Sequence, residues 1–302
     1  MNKIFSSPAS FRQSLEQRLQ KVATETGADL QRIRRKVAFE RFLARLFSVE
    51  PYPWVLKGGY ALEVRFEISR ATKDLDLGIR LKIAGSKDRQ LEILLEQLQE
   101  RAMYEMNDHF LFQIEPNAKV IESAPYGGFR FPIKSILAGR LFVAFSLDIG
   151  FGDAITPPID EITGGDWLNF CGIPPAKFEA ISLEQQFAEK IHAMVVDRGE
   201  RENTRVKDLI DVLLLIQEGL DKNQLFKAIT NTFHRRGEKS IPITVPEPPA
   251  SWRASFSQMA TDCGLDPDFD AAFTTLERYW KELHPKNNVS YALINHSSPG
   301  EI

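Results

Sequence analysis

Apolar residues recur every three or four positions from Ser10 to Phe47, which is the spacing of one buried face of an α-helix. Gly27-Ala28-Asp29 interrupts the pattern, and Asp29 is a suitable N-cap for the second of two predicted helices. This second helix is rich in positive charge, whereas the first is not. Its basic residues are Arg32, Arg34, Arg35, Lys36, Arg41 and Arg45. Two interpretations are open: a solvated helix face, or a stripe that faces nucleic acid.

The central part of the chain mixes the spacing of strands with the spacing of helices. Short apolar or alternating runs bounded by Gly, Pro, Asn and Ser predict strands at 54–56, 74–79, 110–114, 129–133 and 141–149. Helical spacing lies between them at 60–66 and 86–105. This arrangement predicts an α+β lobe whose sheet is mostly antiparallel or mixed.

Beyond the proline pairs Pro157-Pro158 and Pro174-Pro175 the pattern becomes helical. Helices are predicted at 183–196, 207–218, 224–233 and 269–283. The change of pattern predicts an α/β lobe with two leading helices over residues 1–155, a helical lobe over 156–285 and a polar tail over 286–302.

The net charge, the cysteines and the hydropathy of the chain limit the kinds of partner and cellular location that we expect. The formal net charge of -3 provides no overall field for nucleic acid, so such a partner would need a local basic patch. Cys171 and Cys263 lie far apart and show neither a disulfide framework nor zinc spacing. No signal peptide or apolar run of membrane-spanning length is visible, so we expect a cytoplasmic protein without a membrane partner.

The segment Lys57-Gly58-Gly59 joins a predicted strand to a predicted helix. Glycines let the backbone approach phosphate oxygens, and the free N–H groups of a helix N-terminus favour an anion. The turn therefore predicts a triphosphate site. Lys57 is either a phosphate contact or an ordinary surface lysine.

Asp74 and Asp76 lie two residues apart on a predicted strand, so their carboxylates project from one face. Paired carboxylates suit Mg²⁺ or Mn²⁺, which would also bind the nucleotide phosphates. Asp148 is the candidate third ligand, because a charge in the apolar run 141–149 is costly unless it is paired or binds a metal. It is also a candidate general base, and the simpler alternative is a strand-end aspartate before Gly150.

These residues resemble the DNA polymerase β superfamily of nucleotidyltransferases, and more closely the AbiEii/MenT-type toxins, over residues 54–218. The family pattern of a glycine turn followed by Arg-x-Ser/Thr-x-Asp-x-Asp is matched by Gly58-Gly59 and by the run from Arg70 through Thr72 to Asp76. The resemblance implies nucleotide-binding roles for Arg70 and Thr72, although Thr72 could simply cap the strand turn. It also implies a polymerase β-like mixed sheet flanked by helices and followed by a helical C-terminal lobe.

A second block of the family pattern lies in the helical region, as Glu189-Lys190 and then Lys207-Asp208. Lys190 borders the apolar face formed by Phe187 and Met194, so it could bind a nucleotide phosphate or lie on a wet face. The resemblance favours Asp208 as a catalytic residue. Asp208 and Asp211 could instead cap their helix. Arg198 and Arg205 are candidates for contacting nucleotide or RNA.

The resemblance implies transfer of a nucleoside monophosphate from an NTP to an acceptor, which for some relatives is the 3′ end of tRNA. The main hypothesis is therefore a toxin of a type IV-like toxin–antitoxin pair that modifies tRNA, inhibits translation and has an antitoxin encoded nearby. The alternatives are a nucleotidyltransferase acting on a small molecule or a protein hydroxyl, and a non-catalytic binding module. The basic helix 32–45 favours RNA, since a small acceptor does not need it.

Overall fold

The computed structural model describes residues 5, 7–66, 70–81, 83–122, 124–196, 199 and 202–283. The chain forms two compact units. The first contains the described residues of 1–67, 71–152 and 159–181, and the second contains those of 68–70, 153–158 and 182–302. The polar tail predicted over 286–302 lies outside the described residues.

Eight strands of the first unit form one sheet. They are β1 (Trp54–Lys57), β2 (Asp74–Ile79), β3 (Phe110–Ile114), β4 (Lys119–Ile121), β5 (Gly128–Leu137), β6 (Arg140–Gly150), β7 (Ile159–Thr163) and β8 (Lys177–Ile181). Their order is β3-β5-β6-β2-β1-β8-β7, and β4 pairs with β5. The pairs β2–β6 and β1–β8 are parallel and the others are antiparallel. The predicted α+β class with a mixed sheet is therefore confirmed.

Four helices accompany this sheet within the described part of the first unit: α1 (Pro8–Thr26), α2 (Leu30–Leu46), α3 (Gly58–Arg65) and α4 (Lys87–Ala102). Asp29 caps α2 as predicted, since its carboxylate accepts a hydrogen bond from the Arg32 backbone N–H at 2.7 Å. Helix α2 lies against the sheet, where Phe39 and Phe42 contact Phe145 of β6. Burial of this helix fixes the orientation of its other side chains.

The second unit is helical over its described residues, with α5 (Leu183–Val195), α6 (Val206–Glu218), α7 (Lys222–Arg235), α8 (Trp252–Asp262) and α9 (Phe269–Leu283). Helix α5 packs against α6 and α7. Helix α8 was not predicted. None of the helices described in either unit combines the length and hydropathy that a membrane span requires.

Residues 159–181, which the sequence pattern assigned to the helical lobe, contribute β7 and β8 to the sheet of the first unit. Strand β7 lies at the edge of that sheet and contains no fully buried residue. Its alternation of apolar and polar residues is therefore weak. Strand β8 alternates polar and apolar residues over Lys177–Ile181, so a signal for it was present in the sequence and was overlooked.

Candidate active site

A row of four charged residues crosses the middle of the sheet. Lys57 pairs with Asp76, Asp76 pairs with Asp148, and Asp148 pairs with Arg130 across β1, β2, β6 and β5. Directly opposed residues of neighbouring strands project from the same face. The structure thus brings the predicted Asp76 and Asp148 together, although they lie far apart in sequence, and flanks them with one cation on each side.

The glycine turn lies against this row. Gly58 has a φ of +70°, a conformation that residues with a Cβ atom rarely adopt. A Cβ on Gly58 would also lie 2.7 Å from Cγ and 2.8 Å from Cβ of Asp76. Asp76 therefore occupies the space that a side chain at position 58 would need. Lys57 is the N-cap residue of α3 and its side chain makes no capping hydrogen bond, while Gly59 is buried in the first turn.

Asp74 lies on the same face as Asp76, and a network behind it supports the preceding loop. The buried carboxylate of Glu63 accepts a hydrogen bond from the Thr72 backbone N–H at 3.1 Å. The Thr72 hydroxyl lies 3.4 Å from the Asp74 carbonyl oxygen, which agrees with a role in the strand turn. Two cations of α2, Arg32 and Lys36, pair with the same Glu63 at 2.6 and 3.5 Å.

Asp148 forms a two-pronged ion pair with Arg130. Nε and Nη2 of Arg130 donate to Oδ1 and Oδ2 of Asp148, each at 2.7 Å, and Nη2 lies 4.0 Å from Oδ2 of Asp74. The hydrogen bonds to Asp148 and its negative charge raise the pKa of Arg130. Asp148 is therefore paired within the protein. The sequence pattern left open whether its partner would be a metal ion or a basic side chain.

The donor set fits a metal that is bound together with substrate. Among the described residues, no three His, Cys, Asp or Glu side chains converge to hold a cation. Asp74 and Asp76 still offer two hard oxygen ligands on one face, and Mg²⁺ is commonly held by one or two carboxylates together with substrate phosphates. The phosphate oxygens would supply what the protein alone does not.

In the second unit, the residues of the second sequence block form a cluster of opposite charges. Nζ of Lys190 lies 2.9 Å from a carboxylate oxygen of Asp208 and 2.9 Å from one of Asp211. Arg70 donates two hydrogen bonds to Asp211, at 2.8 and 2.7 Å. Arg205 lies 3.5 Å from Asp208. Lys190 is therefore in a cluster rather than on a wet face, and both aspartates do more than cap α6.

Burial and charge oppose each other in this cluster. Burial alone would raise the pKa of Asp211, but the charges of Lys190 and Arg70 outweigh it and lower that pKa. For Lys190, burial would lower the pKa, and the two carboxylates raise it above the usual lysine value. Lys190 and Asp211 are consequently both charged at neutral pH. Arg198, the remaining basic candidate of this region, lies outside the described residues.

Helix α2 matches neither interpretation that its sequence allowed. Five of its six basic side chains pair with acids of the same unit: Arg34 with Glu16, Arg32 and Lys36 with Glu63, and Arg41 and Arg45 with Asp108. The sixth, Arg35, is half-buried, and its Nε has no hydrogen-bond partner among the described residues. Arg41, Arg45 and Asp108 are buried. The helix is thus neither a solvated face nor a stripe open to nucleic acid, because five of its six positive charges are compensated inside the first unit.

Sequence reasoning missed Arg130 and Glu63. Arg130 is a charged residue on the outward face of a predicted strand, a signal too common to single out. Glu63 lies within a predicted helix, and its burial indicates its role only once its partners are known.

Comparisons with known proteins identify the family of the chain. The family described as "Nucleotidyl transferase AbiEii toxin, Type IV TA system" matches residues 41–275. Among solved structures, the chain is similar to MenT4, a nucleotidyltransferase toxin from Mycobacterium tuberculosis H37Rv, at 15% identity and a TM-score of 0.52 over 89% of this chain and 95% of that one. It is also similar to JHP933 from Helicobacter pylori, at 17% identity and a TM-score of 0.40 over 82% and 88% of the two chains.

A comparison with functionally curated proteins finds no match. The family match covers most of the chain and contains both charged groups described above, and the likeness to MenT4 supports the fold. The chain therefore belongs to the AbiEii nucleotidyltransferase toxin family of type IV toxin–antitoxin systems, which makes it an enzyme that uses an NTP and has an antitoxin as its partner.

Proposed function

We propose that this toxin transfers a nucleoside monophosphate from an NTP to the 3′ end of tRNA, with Mg²⁺ or Mn²⁺ held by Asp74 and Asp76, and thereby inhibits translation in the cytoplasm. The observation that carries the metal-dependent reaction is the carboxylate row beside the glycine turn. Asp76 is held against Gly58, and Asp74 projects from the same face two residues earlier.

Each residue has a defined task in this proposal. The N–H groups at the start of α3, from Gly58 and Gly59, bind the triphosphate. Asp74 and Asp76 hold the metal, which would neutralise the charge that builds up on the phosphate oxygens. Asp148 is the third carboxylate of the site. Lys57 is a candidate phosphate contact at the N-cap of α3.

The chemistry is an in-line displacement at the α-phosphorus. The 3′-hydroxyl oxygen of the acceptor forms a bond to that phosphorus, the bond to the β-phosphate oxygen breaks, and pyrophosphate leaves with the electron pair. The hydroxyl proton goes to a base, for which Asp148 is the candidate.

The cluster of Lys190, Asp208, Asp211 and Arg70 is proposed to serve the nucleotide. An ammonium group has three donors, and two of those of Lys190 are directed at Asp208 and Asp211. The third can contact a phosphate oxygen. Nε and Nη2 of Arg70 donate to Asp211, so the predicted nucleotide contact of Arg70 would be made by a guanidinium group that Asp211 holds in place. Arg205 remains a candidate for contacting nucleotide or RNA, and Thr72 supports the strand turn.

The acceptor is best tested directly. Purified protein is incubated with Mg²⁺, total tRNA and each α-labelled NTP in turn, beside Asp74→Asn and Asp76→Asn. Glu161→Gln is the matched control, because this carboxylate lies on β7 in an exposed ion pair with Lys177. We expect label on tRNA with the wild type and the control, and none with the two aspartate variants or with excess chelator.

Two further experiments test which end of the tRNA is modified and how the modification affects translation. Periodate-oxidised tRNA lacks the 3′-terminal diol, so it should accept no label if the 3′ end is the target. Intact tRNA that has been incubated with the wild-type protein and the NTP should also fail to support translation in a cell-free system. If periodate-oxidised tRNA takes up as much label as intact tRNA, the 3′ end is not the target.

A protein or small-molecule acceptor is the second candidate, and the structure of α2 favours it. Of the six basic residues of α2 that favoured an RNA acceptor, five are paired with acids of the first unit. If label appears on a protein or a small molecule of a cell extract and not on tRNA, this candidate replaces the first. If no label appears anywhere although the protein is folded, only a binding role survives.

A further inference from the structure

The pairing of Arg130 with Asp148 suggests how metal binding is made dependent on nucleotide. We infer that Arg130 neutralises Asp148, the third carboxylate of the site, and stays paired with it until a metal–nucleotide complex binds. This inference rests on the proposed function, since it concerns the same carboxylates. It goes further by giving Arg130 a role in the order in which metal and nucleotide bind.

The geometry of Arg130 leaves Asp148 little capacity for a metal. Both carboxylate oxygens of Asp148 accept a hydrogen bond from the guanidinium group at 2.7 Å. The same group reaches to 4.0 Å from Asp74. A guanidinium group in this position therefore binds both oxygens of one carboxylate of the site and borders a second.

The charges of the site lead to the same conclusion. Asp74, Asp76 and Asp148 contribute three negative charges, and Arg130 and Lys57 contribute two positive ones, so the net charge of the group is -1. A divalent cation entering alone would meet the guanidinium charge at close range and only a small net attraction. Metal alone therefore binds weakly while Arg130 stays on Asp148.

A triphosphate changes this balance. Arginine binds phosphate oxygens with two parallel hydrogen bonds, as it binds a carboxylate, and the triphosphate brings several negative charges. Arg130 can then exchange Asp148 for phosphate, which frees Asp148 for the metal or for the acceptor proton. The Arg130 side chain is 41% exposed, so its end can turn without disturbing the packing of β5.

The chain provides a matched control on the same strand. Lys134 lies four residues from Arg130 on the same face of β5, has a similarly exposed side chain (49%) and also forms an ion pair, with Glu115 at 2.6 Å. It opposes Ala144 and no carboxylate of the row. Lys134→Met therefore removes an equivalent cation from β5 without touching Asp148.

The experiment measures Mn²⁺ binding to the full-length protein by electron paramagnetic resonance, with and without α,β-methylene NTP analogues tested in turn. The wild type should bind Mn²⁺ weakly alone and tightly with an analogue. Arg130→Met should lower the Mn²⁺ Kd without nucleotide about five-fold or more, the size of a typical coupling between two ligands. Arg130→Lys keeps the charge but cannot bind both oxygens of Asp148 in parallel, so its Kd should lie between those of the wild type and Arg130→Met. Lys134→Met should behave like the wild type.

The outcomes separate this inference from the proposed function. An unchanged Mn²⁺ Kd in a folded Arg130→Met protein overturns the role of Arg130 and leaves the metal site intact. Equal gains in Arg130→Met and Lys134→Met would show a general charge effect, which also overturns it. If no variant binds Mn²⁺ even with an analogue, the proposed metal site is wrong and the inference falls with it.

Discussion

Replacing Gly58 with alanine adds one carbon atom where the glycine turn meets Asp76. The added Cβ would lie 2.8 Å from the Asp76 Cβ, whereas unstrained carbon atoms approach to about 3.5 Å. Either the turn or the Asp76 side chain must therefore shift by something on the order of 1 Å. A displacement of that size at a reacting group costs roughly 100-fold in rate.

The conformation of Gly58 adds a second cost that must be separated from the first. An alanine held at positive φ loses roughly 1–2 kcal/mol, part of which is offset by the lower entropy of the unfolded chain. Gly27 has the same φ of +70°, and a Cβ there meets no atom within 4 Å. Gly27→Ala therefore carries the conformational cost alone.

The assay is the initial rate of label transfer together with a thermal unfolding curve for both variants. Gly27→Ala should lower Tm by a few degrees and keep the rate. Gly58→Ala should lower Tm by more and reduce the rate about 100-fold. If Gly58→Ala transfers label within about two-fold of Gly27→Ala, the glycine turn does not position Asp76 and the reasoning is refuted.

Three further predictions concern the charged groups that support the fold. Glu63→Gln should cost about 2 kcal/mol of unfolding free energy in urea, because a buried acceptor of two cations and of the Thr72 N–H loses its charge; an unchanged midpoint would contradict this. Asp211→Asn should cost about 3 kcal/mol in the same measurement, because Lys190 and an arginine lose a partner whose side chain is only 2% exposed; a loss below about 1 kcal/mol would contradict it. Burial alone would raise the pKa of Asp108, but two arginines outweigh it and lower that pKa, so its stabilisation is complete above the unfolded value near 3.8 and is lost as pH falls through the folded value. Between about pH 5 and 2 the wild type should therefore lose more unfolding free energy than Asp108→Asn. Parallel curves of unfolding free energy against pH for the two proteins would refute this.

The sequence predicted the strands that carry the aspartates but could not predict their register. Alternation of apolar and polar residues identified 74–79 and 141–149, which the structure has as β2 and β6. The parallel pairing of these strands depends on the packing of the whole sheet. Asp76 and Asp148 were consequently predicted to belong together by their chemistry and not by their positions.

The pairing of Arg130 with Asp148 shows why a local rule fails. The tight turn pairs Leu137 with Arg140, and continuing that register along the hairpin would place Arg130 opposite Leu147. A β-bulge next to Ser135 and Ile136 shifts the register by one residue and brings Arg130 opposite Asp148. A shift of one residue moves side chains to the other face, so the partner of Asp148 depended on an irregularity that the sequence does not reveal.

Basic residues of α2 were misjudged for a related reason. Their density suggested exposure, because a run of like charges usually faces solvent. Their acidic partners lie in α1, α3 and the segment before β3, so no local pattern shows the compensation.

The parallel pairing of β2 with β6 also bears on how the enzyme is made. Residues 74–78 pair with residues 146–150, and α4, β3, β4 and β5 are synthesised between them. Closing such a long loop is a late step compared with forming the neighbouring hairpins. A nascent chain that has released β2 from the ribosome carries Asp74 and Asp76 and can pair β2 with β1, but it lacks β6 and Asp148. The three aspartates thus come together only when more than half of the described chain has emerged, so products truncated before β6 should be inert.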